Sequence, residues 1–197
     1  MIRPEIKLIN QFYHFYGWRL GYNSFDPDIL IFMSLETAAS DIRELNQQRA
    51  ALIAIDGFGG AGKTTIAEKL AELLGSARIV HMDDHLIDKT INNTPELLGF
   101  DRAGIASTIL KPISSKEVAP EEDFIIIEGI SALHQDFRAN FDYGIWIGTS
   151  IDESVKRAVL RDSGRGNEHL RDMWAKNDLA YFEVHRPDLA AHIVIKN

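Results

Sequence analysis

The stretch Gly57 to Thr65 reads GFGGAGKTT and stands directly behind the apolar run Ala51-Leu52-Ile53-Ala54-Ile55. It fits the pattern G-x-x-x-x-G-K-[ST], with a buried strand expected before it and a helix after it. The chemistry of such a loop follows from its residue types. Gly57, Gly59, Gly60 and Gly62, with Phe58 and Ala61 between them, allow backbone conformations in which successive N–H groups turn inward toward phosphate oxygens. A helix opened by Lys63, Thr64 and Thr65 adds the positive end of its dipole. Lys63 has the reach and charge for terminal phosphates, and the Thr64 hydroxyl suits the Mg²⁺ that accompanies them. The stretch therefore predicts a nucleoside triphosphate site.

Two acidic strand ends extend this reading. His81-Met82-Asp83-Asp84-His85 closes a short strand expected over 77–81, and ligands of open α/β sheets bind at the carboxyl ends of strands. A carboxylate there can take the proton of an attacking hydroxyl, which makes Asp83 the expected general base and Asp84 a weaker contender that could equally cap the next element. The two flanking histidines, lacking cysteine or further clustered ligands, do not make a transition-metal site, and His85 is expected to line the pocket. Phe124 to Gly129, FIIIEG, is an apolar strand ending in Glu128, where a carboxylate would orient Mg²⁺ or a water bound to it. From Val155 the chain reads VKRAVLRDSGRGNEHL. Arg157 and Arg161 are i, i+4 neighbours, and Arg165 follows in a glycine-containing loop, a pattern suited to a lid closing over phosphates.

These residues need a frame, and the chain has the length for one. Its 197 residues suit one α/β domain with a full core, at 45% hydrophobic and 25% charged residues. The net charge of −8 argues against a general nucleic-acid surface. The absence of cysteine excludes disulfides and thiol chemistry, and the absence of a long apolar run or signal pattern makes a cytoplasmic protein off the membrane the expectation. Helices are expected over 35–48 with Ser34 as N-cap, over 63–74, before Lys111-Pro112, and over about 152–162 and 168–185. Strands are expected near 51–56, 77–81, 124–127, 145–147 and 193–195. Alternation of this kind implies a three-layer parallel sheet. Ahead of it, Phe12, Tyr13, Phe15, Tyr16, Trp18 and Tyr22 mark an aromatic N-terminal segment, with Leu8, Phe12 and Phe15 at helical spacing. It reads as an extension packed on the core over 1–33, ahead of a phosphate-loop domain over 34–197. The competing reading is an arm that covers substrate or meets a second subunit of a homodimer.

GTPases of this loop class need a guanine-reading N-K-x-D segment, and the nearest string, Lys176-Asn177-Asp178, has the wrong order and lies in a helical stretch. Motor and helicase ATPases need longer chains. A small-molecule kinase with an arginine lid fits best.

The segments IAIDGFGGAGKTT, VHMDDH, FIIIEGISAL, FDYGIWIGTSIDESVKRAVLRDSGRG and YFEVHRPDLAAHIVI, taken together and in this order, resemble the uridine kinase and phosphoribulokinase-type group of phosphate-loop kinases over most of residues 35–197. The resemblance implies a five-stranded parallel sheet in the order 2-3-1-4-5, ATP with Mg²⁺, and transfer of the γ-phosphate to a hydroxyl. It implies the base role for Asp83 and phosphate contacts for Arg161 and Arg165, with Arg157 assisting. The chain departs from the group on the acceptor side. His85 stands where uridine kinases carry an aromatic, and only 113–123 fills the place of their substrate-contacting hairpin. Phe100-Asp101 preserves part of an acceptor segment, with Asp101 as a substrate contact. The acceptor is thus left open between a nucleoside and another small alcohol, and a non-catalytic ATP-binding regulator is the alternative.

Overall fold

The computed structural model describes residues 27–45, 48–85, 100–163 and 171–197. The aromatic N-terminal run and Arg165 lie outside the described residues. The elements are α1 (Pro27–Arg43), β1 (Ala51–Gly57), α2 (Lys63–Leu74), β2 (Ala77–His81), α3 (Arg102–Ile105), α4 (Lys111–Ser114), β3 (Phe124–Glu128), β4 (Tyr143–Ile147), α5 (Ile151–Asp162), α6 (Arg171–His185), α7 (Pro187–Ala190) and β5 (Ile193–Ile195). The strands form one sheet in the order β2-β3-β1-β4-β5, parallel at every pairing. The order agrees with the expectation, and the architecture is a three-layer α/β phosphate-loop fold.

The central position of β1 explains its sequence. All seven of its residues are buried, so it reads as a continuous apolar run broken only by Asp56. Strand register puts Asp56 beside Trp146 and His81 beside Glu128, which brings the strand ends that carry chemistry into one row. Helix α2 buries Ile66, Ala67, Leu70 and Leu74 against β1, β2 and β3. Helix α1 packs on α2, where the Arg43 guanidinium donates to the Leu73 carbonyl, and reaches β5. The opposite face is covered by α6, whose Phe182 meets Trp146 at 5.4 Å between ring centroids. Phe58, the first residue of the loop after β1, stands edge-on to Trp146 at 5.3 Å. The loop is thus anchored into an aromatic cluster before it turns.

Two helix boundaries differ from expectation. The first helix starts at Pro27 rather than at Leu35, and ends at Arg43 rather than at Gln48. Proline breaks helices in their interior, but in the first turn its missing N–H costs nothing, so Pro27 can open this element. The helix near Lys111-Pro112 does not stop there. It continues through a π-type turn at Ala106–Leu110 into α4, which contains Pro112. The widened turn just ahead of the proline accommodates the ring and the missing donor. Among the described residues no helix is long and apolar enough to cross a membrane.

Candidate active site

The phosphate loop leaves β1 at Gly57 and enters α2 at Lys63. Gly62 is in the left-handed region at φ 94°, and no side chain caps the helix, so the first-turn amides are left to the loop cavity. Gly60 has φ 92°, and a Cβ there would collide with the Ser154 carbonyl oxygen. Glycine is therefore required twice over: for the turn, and for the close approach of α5, the helix that carries Arg157 and Arg161. The Ala61 carbonyl accepts from Asn197 Nδ2 at 2.6 Å and from Thr149 Oγ1 at 3.2 Å. Lys63 Nζ donates to the Gly57 and Phe58 carbonyls, both at 3.0 Å. Thr65 lies in the exposed first turn of α2.

Thr64 and Glu128, far apart in sequence, meet here. The Thr64 hydroxyl donates to Glu128 Oε1 at 3.2 Å, joining the phosphate loop to the end of β3. The same oxygen lies 2.6 Å from His81 Nδ1. That hydrogen bond, more than the opposing effect of burial, raises the His81 pKa above its ordinary value. Buried Met82 fills the space against Gly129 and turns the chain, leaving Asp83 and Asp84 exposed in a 3₁₀ turn over Met82–His85.

On the far side, Arg161 is 62% exposed and holds Asp162 through two bonds, at 2.8 and 3.0 Å. Its pKa is raised, first by that bond and lastly by the charge of Asp83. The charge of Asp83, in the turn after β2, thus acts on the helix that carries the arginines. Arg157 pairs with Glu153 at 3.0 Å. Asp101 caps α3, accepting from Gly104 N–H at 2.7 Å, and its own N–H donates to the His85 carbonyl at 2.8 Å. The acidic turn and the start of α3 are therefore neighbours. Between β2 and the α3–α4 helix lies a pocket of about 400 Å³, whose lining includes His81, Asp84, His85, Thr108, Ile109 and Pro112. It combines apolar walls with convergent polar groups, as small-molecule sites do.

Sequence reasoning passed over two buried carboxylates that bond to the phosphate loop, and Asp162, expected among surface charges, is buried as well. Asp56 is fully buried and accepts from Gly57 N–H at 2.7 Å, Ser131 N–H at 3.1 Å, Leu133 N–H at 2.8 Å and Tyr181 O–H at 2.5 Å. Burial raises its pKa, against the pull of Tyr181 and the backbone donors. It binds β1, the turn after β3 and α6 into one unit under the phosphate loop. The signal was present: a lone charged residue inside a fully buried strand must find partners. Asp178, met in the sequence only as part of a failed guanine motif, accepts from Gly59 N–H at 2.7 Å.

A glycine-rich loop between central strand and helix, faced by an acid on the neighbouring strand end, defines a phosphate-loop nucleotide-binding protein. No protein-family model matches the chain. It is similar to uridine-cytidine kinase C of Dictyostelium discoideum, at 26% identity over 65% of this chain and 33% of that protein. It is also similar to phosphoribulokinase of Synechocystis, at 25% identity over 74% of this chain and 50% of that one. The chain thus spans a third to a half of the length of these relatives. A structure described as a possible uridine kinase from Bacillus stearothermophilus shares the fold, with a TM-score of 0.61 over 84% of this chain and 98% of that one, at 18% identity. The chain is thus similar to kinases of the uridine kinase and phosphoribulokinase type, and shares their phosphate-loop fold.

Proposed function

We propose that the protein is an ATP-dependent kinase that moves the γ-phosphate to a hydroxyl group of a small molecule, either a nucleoside or another small alcohol. The observation that carries this reading is the bond from Thr64 to Glu128, which unites the phosphate loop with the acid of the adjacent strand. A hydroxyl and a carboxylate are the hard oxygen donors that Mg²⁺ takes, so this pair would hold the ion, and the ion would neutralise the charge of the β- and γ-phosphates. Similarity to proteins named as uridine-cytidine kinase and phosphoribulokinase supports the reading. For the same reason the non-catalytic alternative is not favoured.

In this reading the triphosphate lies along the loop amides, with Lys63 turning from the loop carbonyls to the terminal phosphates. The acceptor enters from the pocket beside Asp84 and His85. Asp83 takes the proton from its hydroxyl, the oxygen forms a bond to the γ-phosphorus, and the bond to the β–γ bridging oxygen breaks to release ADP. Arg161, assisted by Arg157 and Arg165, adds positive charge over the transferring group. The exposure of Asp83 and the electrostatic influence of Asp83 on Arg161 support this division of roles.

The test is ADP release from MgATP in the presence of nucleosides, sugars, pantothenate-like alcohols and other small hydroxyl compounds. Release that depends on one class of acceptor is the expected result. ATP binding without acceptor-dependent release from any of them would overturn the kinase reading.

A further inference from the structure

The mechanism above leaves one buried carboxylate beside the phosphate loop without a task. Asp178 is 5% exposed and stands on α6, the helix that follows the arginine-bearing segment. One of its oxygens accepts the Gly59 N–H at 2.7 Å. The amides of such a loop are the groups that receive phosphate oxygens, and a carboxylate bonded to one of them is an anion held by the same kind of bond. Two charged groups act on it from neighbouring elements, Lys63 at the start of α2 and Asp56 in β1. Lys63 attracts it, while Asp56 adds a second negative charge behind the loop.

We propose that Asp178 is a positioning residue that acts on the phosphate site through Gly59: its hydrogen bond anchors the glycine turn to α6, and its charge restrains affinity for the incoming triphosphate. The proposal rests on the reading that the loop binds ATP. A bound triphosphate brings several negative charges toward a carboxylate that water screens poorly, so each anion disfavours the other. Burial already pushes Asp178 up to about 6, against the Gly59 bond and Lys63. Nearby phosphate raises it further, and ATP binding takes up a proton at this side chain near neutral pH. The sign follows: a neutral Asp178 no longer opposes the nucleotide, so the restraint is present above about pH 6 and fades below it.

Asp178→Asn separates the two roles, because its amide oxygen still accepts from Gly59 while the charge is gone. MgATP affinity of the full chain, measured by calorimetry from about pH 5 to pH 8, should be tighter in Asp178→Asn than in wild type, by about tenfold at the upper end. The ratio of the two should approach one at the lower end, where the wild-type carboxyl is itself neutral. Titration of ATP is common to both proteins and cancels in the ratio. Asp178→Ala, which loses the anchor as well, should bind more weakly than Asp178→Asn at every pH. Should Asp178→Asn fail to fold by thermal melting, Asp178→Ser supplies the uncharged comparison. A ratio that stays flat with pH, or weaker binding by the uncharged variant, overturns the inference while leaving the nucleotide site intact. Failure of the wild-type chain itself to bind MgATP overturns both.

Discussion

The phosphate half of the crevice comes from one contiguous stretch, Gly57 to Thr65, whereas the pocket beside Asp84 and His85 draws its walls from β2, the turn after it and a helix far along the chain. The first is braced on every side: Asp56 beneath it, Thr149 and Asn197 on the Ala61 carbonyl, Ser154 against Gly60, Asp178 on Gly59. The second lies along the edge strand of the sheet, where exposed Asp83 and Asp84 follow one buried methionine. A site for triphosphate needs a fixed array of donors and tolerates little change. A site that selects an acceptor can vary at the sheet edge without disturbing the core. The division explains why the triphosphate is legible in this chain and the acceptor is not.

Changes on the braced side should have the largest effects. Lys63→Ala removes the cation proposed to meet the terminal phosphates and should lower turnover by about 10³-fold or more, with weaker ATP binding, in steady-state assays with a working acceptor. Unchanged turnover and nucleotide affinity would break the assignment of the loop. Asp56→Ala strands four donors in the core and should cost about 3–5 kcal/mol of stability by denaturant unfolding. Loss below about 1 kcal/mol would mean that Asp56 does not unify the frame beneath the loop.

Across the crevice the effects should shrink. Arg161 is well exposed and already held by Asp162, so Arg161→Ala should reduce turnover and ATP affinity together by roughly tenfold to 10²-fold. A turnover loss with affinity untouched would restrict the arginine to the transition state. On the acceptor side, His85→Ala should leave ATP affinity unchanged and shift the acceptor KM by about tenfold or less. A change in ATP affinity instead would erase the boundary between the halves.

Much of this division can be read from residue order alone, and the reason is locality. The phosphate loop, the five strands and the helix over 63–74 are set by contiguous apolar runs and glycine spacing, and all appear in the structure near their expected bounds. The start of the first helix is not legible in the sequence, because a proline such as Pro27 is a breaker or a starter according to position, which local pattern does not decide. The helix through Pro112 was cut short for a similar reason, since the π-type turn that rescues it leaves no compositional mark. Contacts such as Thr64 with Glu128, Glu128 with His81, and Asp178 with Gly59 join residues far apart in the chain, and only the sheet order brings them together. Of these, Glu128 is legible as a strand-end acid, while Asp178 stands in the middle of a helix and shows in the sequence only as part of a failed guanine motif.

In the proposed mechanism Asp83 joins the two halves as the group that takes the acceptor proton. Steady-state kinetics of Asp83→Asn with an acceptor identified by ADP release tests this most directly, paired with its ATP dissociation constant. The substitution keeps shape and loses basicity, so turnover should fall by about 10²–10⁴-fold while ATP affinity stays near that of wild type. Full turnover in Asp83→Asn would contradict the account and move the base to Asp84 or Glu128.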